Sequence, residues 1–226
     1  MVRLGVMGGT FNPIHYGHLV AANEVCEAFA LDTVIFVPAS IPPHKDQTEI
    51  IDSRHRLMMT MLATMSHPHF AVSSIELDRP GASYSVDTIA QLKQMYPEPL
   101  TIYFIVGIDA FVEMASWRQP DVLLRSCHTI ITSRPGYSLY ELVPTLLQRL
   151  SKLYPGLQFE PVEEGRKLPV PSFWVRHTPY HIVLHEVSAL DISSTRLRQR
   201  VKAGHTIAYL LPDSVDAYIR KYQLYH

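Results

Sequence analysis

The chain has 226 residues, of which 47% are hydrophobic and 18% charged, a composition that indicates a globular protein and excludes a disordered one. Its formal net charge of −1 provides no overall positive field, so we expect no nucleic-acid partner. No signal peptide or membrane-spanning apolar stretch is recognisable, which predicts a cytoplasmic protein without a membrane partner. The two cysteines, Cys26 and Cys127, lack a metal-like spacing and are expected to be reduced, partly buried thiols.

Short apolar segments alternate with amphipathic ones along the first part of the chain. Continuous apolar runs predict buried strands, and apolar residues at helical spacing predict helices. The predicted elements are strands at 2–7, 33–37, 70–77, 100–106 and 129–132, and helices at 19–29, 53–65 (capped by Ser53) and 85–95. Their alternating order predicts an α/β fold, a Rossmann-like open parallel sheet with helices on both faces.

The second half of the chain is less regular. Six prolines between residues 137 and 179 favour one helix at 140–153, followed by a long loop or small subdomain. A strand at 182–187, a helix at 193–202 and a last helix from about Asp213 complete a helical C-terminal end. We therefore predict a single domain of residues 1–226, with an insertion or long loop at about 151–181.

The turn between the first predicted strand and the first predicted helix is rich in glycine and histidine. In an open parallel sheet, ligands bind at such turns. Gly8 and Gly9 let backbone N–H groups approach a phosphate, and the following helix directs its positive dipole end to the same place. His15 and His18 are three residues apart, so both imidazoles face the turn and can donate hydrogen bonds to phosphate oxygens. The plain alternative is a glycine turn with two ordinary surface histidines.

A second polar segment comes just before the predicted helix at 193–202. Its three hydroxyl residues offer an N-cap, and Arg198 can add a charge-assisted bond to an anion held by the helix N–H groups. Alone, the pattern is equally typical of a capped helix with a basic solvent face. Two anion sites at the ends of a sheet, taken together, favour a triphosphate ligand.

The segment Gly-Gly-Thr-Phe-Asn-Pro-Ile-His-Tyr-Gly-His at 8–18 resembles the HxGH nucleotidyltransferase superfamily. Further segments along most of the chain are similar to the bacterial nicotinate-nucleotide adenylyltransferases in particular, a family of NAD synthesis. These segments lie at 38–45, 83–88, 107–109, 116–117, 133–136 and 192–198. The chain departs from the family at Ser85, where a threonine is frequent, and at about 151–181, which is longer than usual.

The resemblance implies an activity and a role for each matching residue. The activity is transfer of AMP from ATP to nicotinate mononucleotide, with Mg²⁺ carried on ATP and no metal held by the protein alone. The implied catalytic residues are His15, His18 and Arg198. The implied ATP-binding residues are Gly8, Gly9, Thr10, Phe11, Gly107, Asp109, Ser194 and Thr195. The implied mononucleotide-binding residues are His44, Lys45, Tyr84, Ser85, Trp117 and Arg134.

Other interpretations stay open. The chain could be a transferase of the same superfamily with another phosphate acceptor, or a nucleotide-sensing module without turnover. Trp117 could be a core residue and Arg134 a strand cap. The preference between nicotinate and nicotinamide substrates is not decided by these residues.

Three histidines, His177, His181 and His185, recur at intervals of four residues. On a helix this spacing would be typical of a metal-binding face. Pro179 interrupts the segment, however, and residues 182–187 have the pattern of a strand. We therefore expect no metal site here, and we expect His181 and His185 to share one face of a strand.

Overall fold

A computed structural model describes residues 2–43, 47–162 and 171–226 of the chain. The strands are β1 (Val2–Gly9), β2 (Thr33–Pro38), β3 (Phe70–Val72), β4 (Leu100–Gly107), β5 (His128–Thr132), β6 (Phe159–Pro161), β7 (Ser172–Val175) and β8 (His181–His185). The helices are α1 (Tyr16–Ala28), α2 (Ser53–Thr64), α3 (Ser85–Met95), α4 (Ile108–Phe111), α5 (Pro120–Leu124), α6 (Leu139–Leu153), α7 (Ser194–Lys202) and α8 (Asp213–Lys221). Two short 3₁₀ turns lie at Gln47–Glu49 and Met114–Ser116.

The strands form one sheet in the order β3-β2-β1-β4-β5-β8-β7-β6. The pairs β2–β3, β4–β5 and β5–β8 are parallel, whereas β6–β7 and β7–β8 are antiparallel. The inner strands are almost continuously apolar and buried, as expected for a parallel sheet that helices cover on both sides. The predicted Rossmann-like α/β fold is therefore confirmed.

The chain divides into two compact units. The glycine-turn unit comprises Met7–Ser83 and Leu190–His226, and the strand-rich unit comprises Met1–Val6 and Tyr84–Ala189. In the glycine-turn unit, α2 packs against β2, β3 and α8. In the strand-rich unit, the central strands β4, β5 and β8 pair side by side. The prediction of a single domain with an insertion at about 151–181 stays a prediction.

Most predicted elements are present within a few residues, but the strand predicted at 70–77 ends at Val72. Hydroxyl groups beyond this point bond locally. Ser73 Oγ accepts from the N–H of Ile75 over 3.3 Å, and Ser74 Oγ donates to the Asp78 carboxylate over 2.7 Å. Serine side chains that bond nearby backbone and side-chain groups compete with strand pairing, which explains the shorter strand.

The predicted cap of α2 is wrong by one residue. The N-cap is Asp52, whose carboxylate accepts a hydrogen bond from the N–H of Arg54 over 2.7 Å, and Ser53 is the first helical residue. Aspartate is favoured at the N-cap as serine is, and its carboxylate accepts the bond one residue before the predicted cap.

Two strands lie in the irregular region after α6. β6 pairs with β7 in antiparallel register, with Glu160 opposite Trp174, and β7 pairs with β8. β6 and β7 have three and four residues, too few for a reliable pattern of alternation. Among the helices that the structure describes, none is long and apolar enough to cross a membrane, and the longest, α6, has 15 residues.

Candidate functional site

Gly8 and Gly9, which were predicted to follow the first strand, are the last two residues of β1, and Gly9 packs against an aromatic ring of its own segment. A Cβ atom on Gly9 would lie 2.9 Å from two ring atoms of the buried Phe11, so glycine is required there. A Cβ atom on Gly8 would meet no atom of the described residues within 4 Å, so among them this backbone leaves room for a ligand. The Phe11 ring packs against His18 and Phe36, with centroids 5.1 and 5.9 Å away. The ATP contact of Phe11 stays a prediction, and it would involve the backbone rather than the buried ring.

His15 and His18 lie together at the beginning of α1, with ring centroids 3.8 Å apart. His15 is the N-cap residue, and its backbone N–H donates to Nδ1 of His18 over 3.3 Å. Because Nδ1 accepts this bond, a neutral His18 carries its proton on Nε2, where it can be donated to an anion. His15 is only 1% exposed, whereas His18 is half-buried. The structure therefore places His18 nearer to solvent than His15.

The second predicted anion site lies against the glycine-turn segment. Ser194 Oγ donates to the carbonyl oxygen of Pro13 over 2.8 Å. Arg198 donates through Nη1 to the carbonyl oxygen of Asn12 over 3.2 Å and through Nη2 to the Glu49 carboxylate over 2.9 Å. Two segments from near the two ends of the chain are thus joined within one unit. Their hydrogen-bond donors can therefore serve the same phosphate chain.

α7 begins as its hydroxyl residues predict. Ser193 is the N-cap and accepts a hydrogen bond from the N–H of Arg196 over 3.3 Å. Thr195 is exposed in the first helical turn. Arg196 points to solvent and pairs with the Asp191 carboxylate at 2.7 Å. The expectation that one of the three hydroxyl residues caps this helix is confirmed.

A buried arginine of α2, which sequence analysis did not single out, joins two loops. Arg56 is 1% exposed, and its guanidinium donates to the carbonyl oxygens of Thr10, Ser40 and Ile51 over 2.8, 3.0 and 3.1 Å. Burial lowers the pKa of Arg56, because desolvation disfavours its charged form. The three carbonyl dipoles compensate this charge and hold the segment after β1 to the segment after β2.

Asn12 is a second position whose role only the structure reveals. Its buried amide donates to the carbonyl oxygen of Glu49 over 2.9 Å and accepts from the Tyr225 hydroxyl over 2.9 Å. Burial raises the pKa of Tyr225, which keeps this hydroxyl protonated as a donor. The sequence contained a signal for Arg56, because this charged residue lies three positions before Met59, at the helical spacing of the buried residues of α2. Tyr225 carried no such signal.

In the strand-rich unit, the ends of β4 and β5 bring two predicted residues together. Gly107 is opposite Thr132 in the parallel register, so Asp109 and Arg134, each two residues further along, are neighbours. Arg134 Nε lies 3.0 Å from the Asp109 carboxylate. A Cβ atom on Gly107 would lie 2.5 Å from Asp109 Oδ1, so glycine leaves the room that this carboxylate occupies.

The beginning of α3 gathers further predicted residues. Tyr84 is the N-cap residue and Ser85 the first helical residue, and both are half-buried. The Arg118 guanidinium lies 4.7 Å from the centre of the Tyr84 ring, and it is 3.4 Å from the Asp87 carboxylate. No sequence pattern predicted this cation–π contact, although Arg118 directly follows the family-like segment at 116–117.

The remaining predicted mononucleotide residues divide into two groups. Trp117 is half-buried, and its ring meets Phe104 edge-on with centroids 6.2 Å apart. Its stacking on a pyridine ring stays a prediction. His44 and Lys45 lie outside the described residues.

The three evenly spaced histidines do not share one element. His177 is in a turn with φ of 60°, whereas His181 and His185 are on the same face of β8. Within residues 2–43, 47–162 and 171–226, no group of three His, Cys, Asp or Glu side chains could hold a metal ion. Cys26 and Cys127 are free and buried, as expected, and burial raises the pKa of the Cys127 thiol to about 12.

A histidine pair lies at the start of β5 and β8. Nδ1 of His128 accepts from the backbone N–H of His181 over 3.2 Å, and Nδ1 of His181 is also 3.2 Å away. The two rings are stacked at 5.2 Å. Burial lowers the pKa of His128 to about 4, with smaller contributions from His181 and Arg3, and burial also lowers the pKa of His181. Both rings are therefore neutral at pH 7.

Known proteins match this chain over its whole length. A family model described as cytidylyltransferase-like matches residues 6–200. A "Probable nicotinate-nucleotide adenylyltransferase" of Thermoanaerobacter sp. is 45% identical over 224 residues, 99% of this chain and 94% of the relative. A protein of the same name from Moorella thermoacetica is 47% identical over 224 residues, 99% of this chain and 91% of the relative.

Solved structures agree on the fold. The Plasmodium falciparum nicotinic acid mononucleotide adenylyltransferase complexed with NaAD superposes with a TM-score of 0.73 at 18% identity, over 100% of this chain and 98% of that chain. The same enzyme complexed with APC has a TM-score of 0.69 at 18% identity, over 100% and 98% of the two chains. The chain therefore belongs to the cytidylyltransferase-like family and, within it, to the nicotinate-nucleotide adenylyltransferases.

Proposed function

We infer that the protein transfers AMP from ATP to nicotinate mononucleotide, giving deamido-NAD and pyrophosphate, in NAD biosynthesis. The observation that carries this conclusion is the junction of the two anion-binding segments. Ser194 and Arg198 bond to the carbonyl oxygens of Pro13 and Asn12, in the same segment as Gly8 and Gly9. The beginning of α7 thus contacts the segment between β1 and α1, an arrangement that favours a triphosphate ligand.

The chemistry needs no general base. The attacking group is the 5′-phosphate of the mononucleotide, whose second pKa is about 6, so it is mostly dianionic at neutral pH. It attacks the α-phosphorus of ATP in line, a P–O bond forms to AMP, and the bond to pyrophosphate breaks. The protein's tasks are to orient the two phosphates and to stabilise the charge that develops on the leaving group.

His18 and Arg198 are the residues that we propose to contact the ATP phosphates. The Nε2–H of His18 is a hydrogen-bond donor because Nδ1 is already an acceptor. Arg198 is a permanent cation next to the same loop. The buried His15 would act mainly by holding the ring and tautomer of His18, through its backbone N–H and the contact between the rings. Gly9, Thr10, Ser194 and Thr195 would complete the phosphate contacts.

In the strand-rich unit, we propose adenosine and mononucleotide contacts. The Asp109 carboxylate suits ribose hydroxyls, and Gly107 leaves it room. Trp117 offers an aromatic face for the pyridinium ring, and Arg134 a charge for phosphate. Tyr84 and Ser85, at the beginning of α3, offer hydroxyl groups to the mononucleotide.

Mg²⁺ is proposed to enter as part of the Mg-ATP substrate, because the described residues offer no acidic cluster for a protein-held ion. It would neutralise charge on the phosphates, while the residues above orient them. We place this reaction in the cytoplasm. His44 and Lys45 are proposed for the mononucleotide on the basis of the resemblance alone.

Pyrophosphate release from Mg-ATP tests the proposal, with nicotinate mononucleotide and nicotinamide mononucleotide as separate acceptors. We expect the acid form to be used at least about tenfold better, a discrimination of about 1.4 kcal/mol. Equal use would keep the chemistry and remove the nicotinate preference. Binding of ATP without release on either acceptor would contradict the proposal and favour another acceptor or a nucleotide sensor.

A further inference from the structure

Arg198, the arginine placed at the phosphate loop, is paired with a carboxylate of its own chain. Its side chain is 14% exposed and lies 2.9 Å from Oε2 of Glu49, whose side chain is 63% exposed. Nη2 of Arg198, a donor that a phosphate oxygen could use, thus bonds to a carboxylate oxygen. Carboxylate and phosphate are the two anions that bind arginine in the same geometry.

We propose that Glu49 is an internal competitor for the triphosphate site. Its carboxylate holds Arg198 when no phosphate is bound, gives way to ATP, and takes the guanidinium back when pyrophosphate leaves. This inference rests on the proposed function only in assigning Arg198 to phosphate. It adds a residue that tunes phosphate affinity and product release.

The backbone carbonyl of Glu49 is held by a hydrogen bond, so the exchange can occur by a side-chain movement. The carbonyl oxygen of Glu49 accepts from the buried amide of Asn12, which is itself held by the Tyr225 hydroxyl. Arg198 keeps its second bond, to the carbonyl oxygen of Asn12, whichever anion it faces. The mostly exposed carboxylate can therefore turn into water while the loop and the guanidinium stay in place.

The strength of the Arg198–Glu49 ion pair determines how much removal of the carboxylate should change the affinity for phosphates. Ion pairs with one exposed partner are weak, and phosphate binding must first release the carboxylate. The apparent affinity for phosphates is reduced by the fraction of molecules in which Arg198 is available. Removing the carboxylate should then tighten phosphate binding by about 1.5- to 5-fold.

Binding of pyrophosphate and Mg-ATP to the full chain tests the proposal without any acceptor. We expect Glu49→Gln and Glu49→Ala to bind both ligands about 1.5- to 5-fold more tightly than the unaltered protein at low ionic strength, with the gain shrinking in salt. The matched control is Asp191→Asn, three residues before α7, where the Arg196–Asp191 pair is 63% and 77% exposed. Its phosphate affinities should not change.

Unchanged or weaker binding in both Glu49 variants would overturn the proposal. Weaker binding would show that the carboxylate positions Arg198 instead of competing for it. Failure of the proposed function looks different, because tight phosphate binding would persist while nicotinate mononucleotide gave no pyrophosphate release.

Discussion

The candidate residues of the two units are held in different ways. In the glycine-turn unit, buried side chains such as Arg56 and Asn12 bond to backbone carbonyls and fix the loop itself. In the strand-rich unit, Asp109–Arg134 and Arg118–Asp87 are ion pairs between partly exposed side chains. Buried charges with satisfied hydrogen bonds are costly to disturb, whereas exposed pairs contribute little stability. Changes to the buried Arg56 and Asn12 should therefore affect folding and activity together, and changes to the exposed ion pairs should affect mainly activity.

The largest effect is expected from Arg56→Met. The substitution removes a buried charge and leaves three partly buried carbonyl oxygens without their donor, so we expect a loss of about 3–5 kcal/mol in the free energy of unfolding. Urea unfolding measures it, and kcat/KM for Mg-ATP should fall as well because Thr10 loses its anchor. Arg54→Met is the control on the exposed face of the same helix. A loss below about 1 kcal/mol in Arg56→Met would contradict the contrast between the units.

His18→Ala should separate activity from stability inside the glycine-turn unit. Removing one donor to the developing charge typically lowers kcat by about 10²–10³, and we expect that range. The half-buried ring contributes little to the core, so the urea midpoint should change little. Pyrophosphate release at saturating Mg-ATP measures kcat, and His205→Ala provides an exposed histidine control. A kcat close to that of the unaltered protein would exclude the role.

Acid should destabilise the strand-rich unit through His128. Its folded-state pKa of about 4 is below the ordinary value of 6.5, so the unfolded chain binds more protons as the pH falls. The contribution of the neutral His128 ring to the free energy of unfolding is fully present above pH 6.5 and is lost progressively between pH 6.5 and 4. At pH 5 we expect a loss of about 2 kcal/mol relative to pH 7, measured by urea unfolding.

His128→Gln is the matched variant, because glutamine can still accept from the N–H of His181 but does not titrate. Its stability should fall less between pH 7 and pH 5. If the free energy of unfolding fell equally with pH in His128→Gln and in the unaltered protein, the acid sensitivity would belong to other groups.

Gly107→Ala is expected to have the smallest effect on stability. The new methyl group displaces the Asp109 carboxylate and weakens its pairing with Arg134, which should cost less than about 1 kcal/mol of unfolding free energy. If Asp109 contacts the ribose, KM for Mg-ATP should rise several-fold. Gly156→Ala is the control in the same unit, where a Cβ atom would meet, among the described residues, the flexible end of Arg125. An unchanged KM in Gly107→Ala would contradict the assignment of Asp109.

The fold class and the two candidate phosphate-binding segments could be predicted from the sequence. Both depend on information that lies close together along the chain: the period of apolar residues, a glycine pair between a strand and a helix, and hydroxyl residues before an arginine. The boundaries of α3 and the start of α8 were predicted for the same reason. Short elements, such as β6 and α4, carry too few residues for a period to be detected.

The contacts that hold these segments in place, and the exposure of their side chains, were visible only in the folded structure. Arg56 bonds to Thr10 across 46 positions, Arg198 to Glu49 across 149, and Tyr225 to Asn12 across 213. No local pattern specifies such pairs, because they depend on which surfaces meet when the helices pack. Burial has the same origin: His15 and His18 carry the same ring and are three residues apart, but packing covers one ring and leaves the other partly open to solvent.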